Sequence, residues 1–340
     1  MNVIGLYDEF GPSYHRIYVP LHTMKGLNKC LITNHLTEAR IEAGCDVIYV
    51  NRVFPANELK QVLEWRKKYG FKIVVDMDDH FKLDASHIAY DHYKKHNLSN
   101  LILNCIIEAD AITCTHERLG HDLEAYNRNV WVIPNAIPKW GQFDIQRTYS
   151  DKVRLFWAGS ITHEHDIAIL RNPMKRLAGS NLKNKIFTVL GGYHKDEPIW
   201  QRMVHCFTAG LRIPGNIQEG RKVQDYYSMY QYADICLIPL VKSTFNSNKS
   251  NLKILEAANL GIPVIVSHVD PYLGFPTDLV NYVYWQSDWF YHIKKLVENP
   301  EWRIEQGLRL QEYCRKNYDY DYINFHRYKL FESLCEKQKK

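Results

Sequence analysis

The sequence predicts an α/β protein made of two Rossmann-like domains in tandem. Short apolar runs alternate with amphipathic stretches along most of the chain, the pattern of parallel strands joined by helices. The alternation lapses over residues 138–151 and then restarts. A chain of 340 residues also exceeds what one hydrophobic core usually organises, which favours about two domains of ~150 residues each.

The elements of the first domain follow in order. Residues 3–6 form an apolar run that stops at the turn formers of residues 8–12, and residues 46–50 (DVIYV) form a second. Residues 56–69 place Leu59, Val62, Leu63 and Arg66 at helical spacing, and Gly70 ends that helix. Residues 71–75 (FKIVV) are a strand running into Asp76, Met77, Asp78, Asp79 and His80. A helix over 98–109, a strand over 111–114, a helix over 117–126 and a strand over 130–133 complete the domain. Residues 138–151 (PKWGQFDIQRTYSD) have weak periodicity and many turn formers, as a linker would.

The second domain repeats the pattern. Strands are expected over 153–157 before Gly159 and Ser160, over 186–190 before Gly191 and Gly192, and over 235–238 before Pro239. A helix over 251–259 is stopped by Gly261, and residues 263–267 (PVIVS) form a further strand. From Asp288 the chain reads as helical. The expected division is 1–144, 145–317, and a C-terminal helix over 318–340 that returns to the first domain. Open parallel sheets bind ligands at the carboxyl ends of their strands, so the expected site is the cleft between the two domains.

Composition narrows the function classes. No run of ~18 apolar residues exists, so no transmembrane helix is expected, and the N-terminus has no signal-peptide pattern, which points to the cytoplasm. None of the eight cysteines forms a CxxC pair, so neither a zinc site nor a redox dithiol is indicated. The formal net charge of +5 suits an anionic partner such as a nucleotide sugar or nucleic acid without requiring one.

Residues 248–267 (NKSNLKILEAANLGIPVIVS) carry the most chemistry. A loop with two lysines enters a helix near Ser250 or Asn251, both good N-caps. A helix N-terminus attracts anions through its unpaired N–H groups and its dipole. Lys249 and Lys253 lie four apart and share a face if the loop is already helical there. Lys253 and Glu256 lie three apart. A cation for phosphate one turn from a carboxylate for hydroxyls suits a nucleotide; a solvated Lys/Glu pair is the plainer alternative. The tight junction through Gly261 to a buried strand weighs against the latter.

The run LKILEAANLGIPVIVS resembles the C-terminal signature of group 1 (family 4) glycosyltransferases, retaining enzymes of GT-B fold. The resemblance implies two Rossmann-like domains facing each other across a cleft, a nucleotide-diphosphate sugar as co-substrate and no required metal or other cofactor. It assigns Glu256 to the donor ribose. The family's second glutamate, which contacts the donor sugar, falls at Asn248 here, a departure that leaves the sugar unassigned. Lys249 and Lys253 match lysines that hold the diphosphate in a divergent branch, with Ser250 between them. Residues 153–166 (VRLFWAGSITHEHD) are similar to the family's first C-domain strand and phosphate-facing loop. Many members carry an Arg and a Lys near this loop; this chain has Ser160, Thr162, His163 and Asp166 instead, and the resemblance sets Gly159, Ser160 and His163 against the donor. Residues 131–136 (WVIPNA) and 226–240 (YYSMYQYADICLIPL) are similar to further family segments.

In the first domain, Gly11 lets backbone approach a ligand closely, and Arg16 follows it. The resemblance places this loop against donor diphosphate or acceptor, with Arg16 neutralising the leaving nucleotide. An Arg in an ordinary amphipathic helix is the alternative. Asp76, Asp78, Asp79 and His80 allow a metal site or a polar lining that orients the acceptor. The resemblance favours the lining, with Asp78 and Asp79 as its active members and Asp76 turned inward by strand alternation.

The expected activity is therefore transfer of a hexose or pentose from a nucleotide-diphosphate sugar to a glycan or lipid-linked acceptor. Lys249, Lys253 and Arg16 would stabilise the diphosphate, Glu256 would clamp the ribose, and Asp78 or Asp79 would orient the acceptor. Two alternatives stay open: transfer to hydroxymethylated bases of bacteriophage-type modified DNA, and a non-catalytic nucleotide-sugar or nucleic-acid binding protein on the same scaffold.

Overall fold

The computed structural model describes residues 1–8, 11–54 and 58–336. Residues 9 and 10 of the expected first turn, 56 and 57 of the expected helix over 56–69, and 337–340 of the C-terminal helix lie outside these. The chain forms two compact units. The first comprises Met1–Asn135, Asn248–Ser250 and the chain from Tyr320; the second comprises Ala136–Ser247 and Asn251–Asp319.

The first unit is built on six parallel strands: β1 (Asn2–Leu6), β2 (Lys29–Thr33), β3 (Val47–Asn51), β4 (Lys72–Met77), β5 (Ala111–Cys114) and β6 (Val130–Val132). Their order is β2-β1-β3-β4-β5-β6. β3, β4 and β5 are apolar and buried along almost their whole length, as strands covered by helices on both faces must be. The helices Glu58–Tyr69, Leu98–Glu108 and Glu117–Glu124 connect them. Residues 11–23 are continuously helical and include a π-helical turn, Tyr14–Tyr18. The helix Tyr320–Glu336 packs on this unit: Asn324 Nδ2 donates to the Pro20 carbonyl at 3.0 Å and Arg327 Nε to the Tyr49 hydroxyl at 3.3 Å.

The second unit has β7 (Val153–Ala158), β8 (Ile186–Tyr193), β9 (Gly215–Glu219), β10 (Ile235–Ile238), β11 (Val264–Ser267) and β12 (Asn281–Val283), ordered β12-β11-β10-β7-β8-β9 and all parallel. The first strand of the unit, β7, lies between β10 and β8, so the strand order reverses beside it. Part of the stretch read as a linker packs on this unit: Arg154 donates from Nη2 to the Thr148 carbonyl at 2.6 Å and from Nε to Asp234 at 2.8 Å. Two fully parallel sheets with flanking helices are the GT-B architecture. Among the described residues no helix is long and apolar enough to cross a membrane.

Candidate functional site

In the second unit the candidate residues gather at the carboxyl end of β7. The strand is buried, and it delivers the Ala158 carbonyl to Lys253, whose Nζ donates to it at 2.6 Å. The same ammonium lies 5.6 Å from the centre of the Trp157 ring. A Cβ on Gly159 would sit 2.8 Å from that ring and 3.3 Å from Lys253 Nζ, so a side chain there would crowd the indole where the chain leaves β7. From the neighbouring strand, Gly192 packs onto the same turn with φ +98°, and a Cβ there would lie 2.1 Å from the Gly159 carbonyl oxygen. Ser160 bonds Thr162 through their hydroxyls at 2.6 Å. His163 Nδ1 lies 2.7 Å from Asp166 Oδ2.

The helix that carries Lys253 is Leu252–Asn259. Its N-cap is Asn251, whose side chain makes no capping bond and instead donates to the Tyr318 hydroxyl at 3.0 Å. The helix therefore starts too late to place Lys249 and Lys253 on one face, as the spacing had suggested. Its end is a Schellman arrangement. Gly261, at φ +63°, donates to Ala258 at 2.9 Å, and Ile262 donates to Ala257 at 3.0 Å. This turns the chain directly into buried β11.

One turn after Lys253, Glu256 is only 2% exposed. Its Oε2 accepts a hydrogen bond from the Tyr230 hydroxyl at 2.7 Å, and its backbone carbonyl accepts one from Tyr227 at 3.0 Å. Burial pushes the Glu256 carboxyl up to about 7, against the opposing pull of Lys253 and the Tyr230 bond. Aromatic residues of 226–232 thus hold the helix and its carboxylate from beneath. The arrangement can set a cation against phosphate and an acceptor of hydrogen bonds against ribose hydroxyls.

In the first unit the expected residues separate into two groups. Arg16 is 1% exposed, and its guanidinium is fully engaged. It donates to Asp76 from Nη2 at 2.8 Å and from Nε at 3.0 Å, and from Nη1 to the Ile133 carbonyl at 2.8 Å and Asn135 Oδ1 at 3.1 Å. Tyr49 and Thr113 also donate to Asp76, at 3.0 and 2.5 Å. Arg16 is therefore an internal partner of an inward-turned Asp76, enclosed where the resemblance expects a cation facing the nucleotide. Arg16 lies within the π-helical turn Tyr14–Tyr18.

Asp78, next along the chain on the same side, is 7% exposed. Burial, then repulsion from Asp79, raises its carboxyl to about 6, while Arg52 and a 3.2 Å bond from Asn51 Nδ2 oppose the rise. Asp79 pairs with Lys249 at 3.6 Å. Asn248, which stands where the resemblance expects glutamate, is fully buried and donates from Nδ2 to Asp122 at 3.1 Å. Ser250 is half-buried ahead of the helix. Gly11 opens the helical stretch with open space where a Cβ would stand.

Arg52 was not singled out from the sequence. It lies just beyond β3 with φ +65°, unusual for a residue with a side chain, and it interacts with Asp78 and Asp79. Only the conformation marks it; an Arg after an apolar run carries no such signal. Among the described residues no group of three or more His, Cys, Asp or Glu is placed to hold a metal ion.

The chain is similar to known glycosyltransferases in part of its sequence and in its fold. Residues 152–281 match the family model described as Glycosyl transferases group 1. Solved structures similar to the chain include GT-B glycosyltransferases. Anabaena HepE in complex with UDP and glucose superposes with a TM-score of 0.69 at 12% identity, covering 98% of this chain and 100% of HepE. A glycosyltransferase from Rickettsia africae gives 0.68 at 10% identity, with 98% of each chain covered. S. aureus TarM gives 0.60 at 12% identity over 84% of this chain, which spans only about half of TarM, 54%. No curated protein sequence matches the chain.

Proposed function

We propose that the chain is a retaining glycosyltransferase that moves a sugar from a nucleotide-diphosphate sugar to a hydroxyl of a glycan or lipid-linked acceptor. The observation that carries this reading is the placement of Lys253 and Glu256. They lie one turn apart, beside the turn after β7, within the segment that matches group 1 glycosyl transferases. Lys253 is the cation for the diphosphate and Glu256 the carboxylate for the ribose. Gly159 and Gly192 keep the adjoining turn free of side chains where phosphate would approach. Asp78, with Asp79 held by Lys249, orients the acceptor hydroxyl. Arg16 has no part in the chemistry and holds the acceptor-side domain together.

In the step proposed, the acceptor oxygen bonds to the anomeric carbon on the face from which the diphosphate departs. The carbon–oxygen bond to phosphate breaks, and the acceptor proton passes to the departing phosphate oxygen. The protein supplies position and charge stabilisation. The test is release of nucleoside diphosphate from a panel of nucleotide sugars, UDP-glucose first because HepE was solved with UDP and glucose. It is run with soluble oligosaccharides and with hydroxymethylated DNA, and the product anomer is read by NMR. Product of donor configuration on an oligosaccharide supports the reading. Product on DNA alone shifts the acceptor, and binding of donor without turnover moves the chain to the non-catalytic alternative.

A further inference from the structure

Resting on the donor-binding reading above, we propose that Asp166 is a positioning residue, which orients His163 toward the donor diphosphate. Asp166 is buried, and its two oxygens serve two loops. Oδ1 accepts the Val241 N–H at 2.7 Å and Asn246 Nδ2 at 3.4 Å; Oδ2 meets His163 Nδ1 at 2.7 Å. Val241 and Asn246 belong to the connection after β10; His163 ends the 3-10 turn Ile161–His163 after β7, and Asp166 lies in the helix Glu164–Ala168 that follows it. These strands are hydrogen-bonded neighbours, and the strand order of the sheet reverses beside β7. That junction is where open parallel sheets bind ligands.

A carboxylate enclosed here is costly unless a positive or strongly donating partner meets it. A simple staple between the loops would be served as well by asparagine, whose carbonyl accepts from Val241 equally. A carboxylate adds the ability to take the Nδ1 proton of an imidazole and to stabilise its charged form. The ring of His163 stands edge-on to Trp157, with centres 5.9 Å apart, and the face of the same indole carries Lys253. Imidazole and ammonium therefore flank one indole at the end of β7. Nδ1 faces Asp166, and on this proposal the other ring nitrogen, Nε2, is the one assigned to the diphosphate. Between Gly159 and Asp166 the chain carries no arginine or lysine, and its basic side chains there are His163 and His165, of which His163 is the one bonded to Asp166.

The test is binding to the full chain of the nucleoside diphosphate that binds most tightly among UDP, GDP and ADP, alongside its parent nucleoside, by calorimetry. Wild type is compared with His163→Gln, Asp166→Asn and the double variant. The expected result is about a tenfold loss of diphosphate affinity in each single variant, no further loss in the double, and unchanged nucleoside affinity. His163→Gln leaves the Asp166 staple to Val241 in place, so it remains informative if Asp166→Asn folds poorly. Unchanged diphosphate affinity in His163→Gln, equal losses for nucleoside and diphosphate, or additive losses in the double variant would overturn the proposal. If wild type binds none of the three diphosphates, the donor-binding reading itself fails, and this inference with it.

Discussion

Lys253 and Glu256 stand one turn apart on the same helix and meet opposite surroundings. The ammonium bonds the last carbonyl of β7 at 2.6 Å, and the carboxylate is enclosed against the Tyr230 hydroxyl at 2.7 Å. Removing either partner should therefore give different results. Lys253→Ala should keep the fold and lower turnover at least a hundredfold, since a charge facing the leaving group stabilises the transition state by about 3–4 kcal/mol. Steady-state kinetics beside circular dichroism checks this; unchanged turnover contradicts the assignment.

Glu256 should make stability depend on pH in a definite direction. Its carboxyl is raised from 4.5 to about 7 in the folded chain, so the fold disfavours ionisation. Below the unfolded value no penalty applies. As pH rises from about 4.5 to 7 the unfolded state gives up its proton first, and stability falls, by up to roughly 3 kcal/mol in total at one pKa unit per 1.36 kcal/mol. Melting temperature measured from pH 5 to 8 should decline, and Glu256→Gln should flatten the decline.

Asp78 should leave its mark on catalysis. Burial and Asp79 raise it to about 6. If its ionised form orients the acceptor, kcat/KM climbs with pH through about 6, and the limb disappears in Asp78→Asn. A limb that persists in the variant belongs to another group.

The Arg16–Asp76 pair should be read in stability. Both side chains are enclosed. Arg16→Met leaves an uncompensated buried carboxylate and should cost about 3–5 kcal/mol, whereas Arg16→Met with Asp76→Leu should recover much of that. Urea unfolding of the two variants decides it.

Gly192→Ala should destabilise by at least about 2 kcal/mol. The added methyl would meet the Gly159 carbonyl at 2.1 Å in a backbone conformation, φ +98°, that side chains avoid. A drop in melting temperature of several degrees is expected; no drop would mean that the turn after β7 can yield.

Much of the fold was legible because its central strands are buried on both faces and read as continuous apolar runs, as at residues 111–114 and 235–238, where strand and run coincide. The strands missed are at or near the edges. β2 (KCLIT) is largely exposed, β9 (GNIQE) is polar, and β12 (NYV) is three residues long, so none carries such a run. In the site, Lys253 and Glu256 were readable from helical spacing and from a family signature. The partners of Arg16 were not, because Asp76, Ile133 and Asn135 are distant in sequence. Arg52 and the bond from Tyr230 to Glu256 are likewise products of tertiary placement.

The most direct test of the central claim is a thermal-shift series with UDP, GDP, ADP, CMP and their common sugar conjugates, run on wild type and Glu256→Gln. A ligand that binds only the folded chain stabilises it by about 2.7 kcal/mol at a hundred times its Kd. A clear rise in melting temperature with one nucleoside diphosphate and its sugars, lost in Glu256→Gln, is the result predicted. No rise with any of them, or an equal rise in the variant, would contradict a donor site built on this helix.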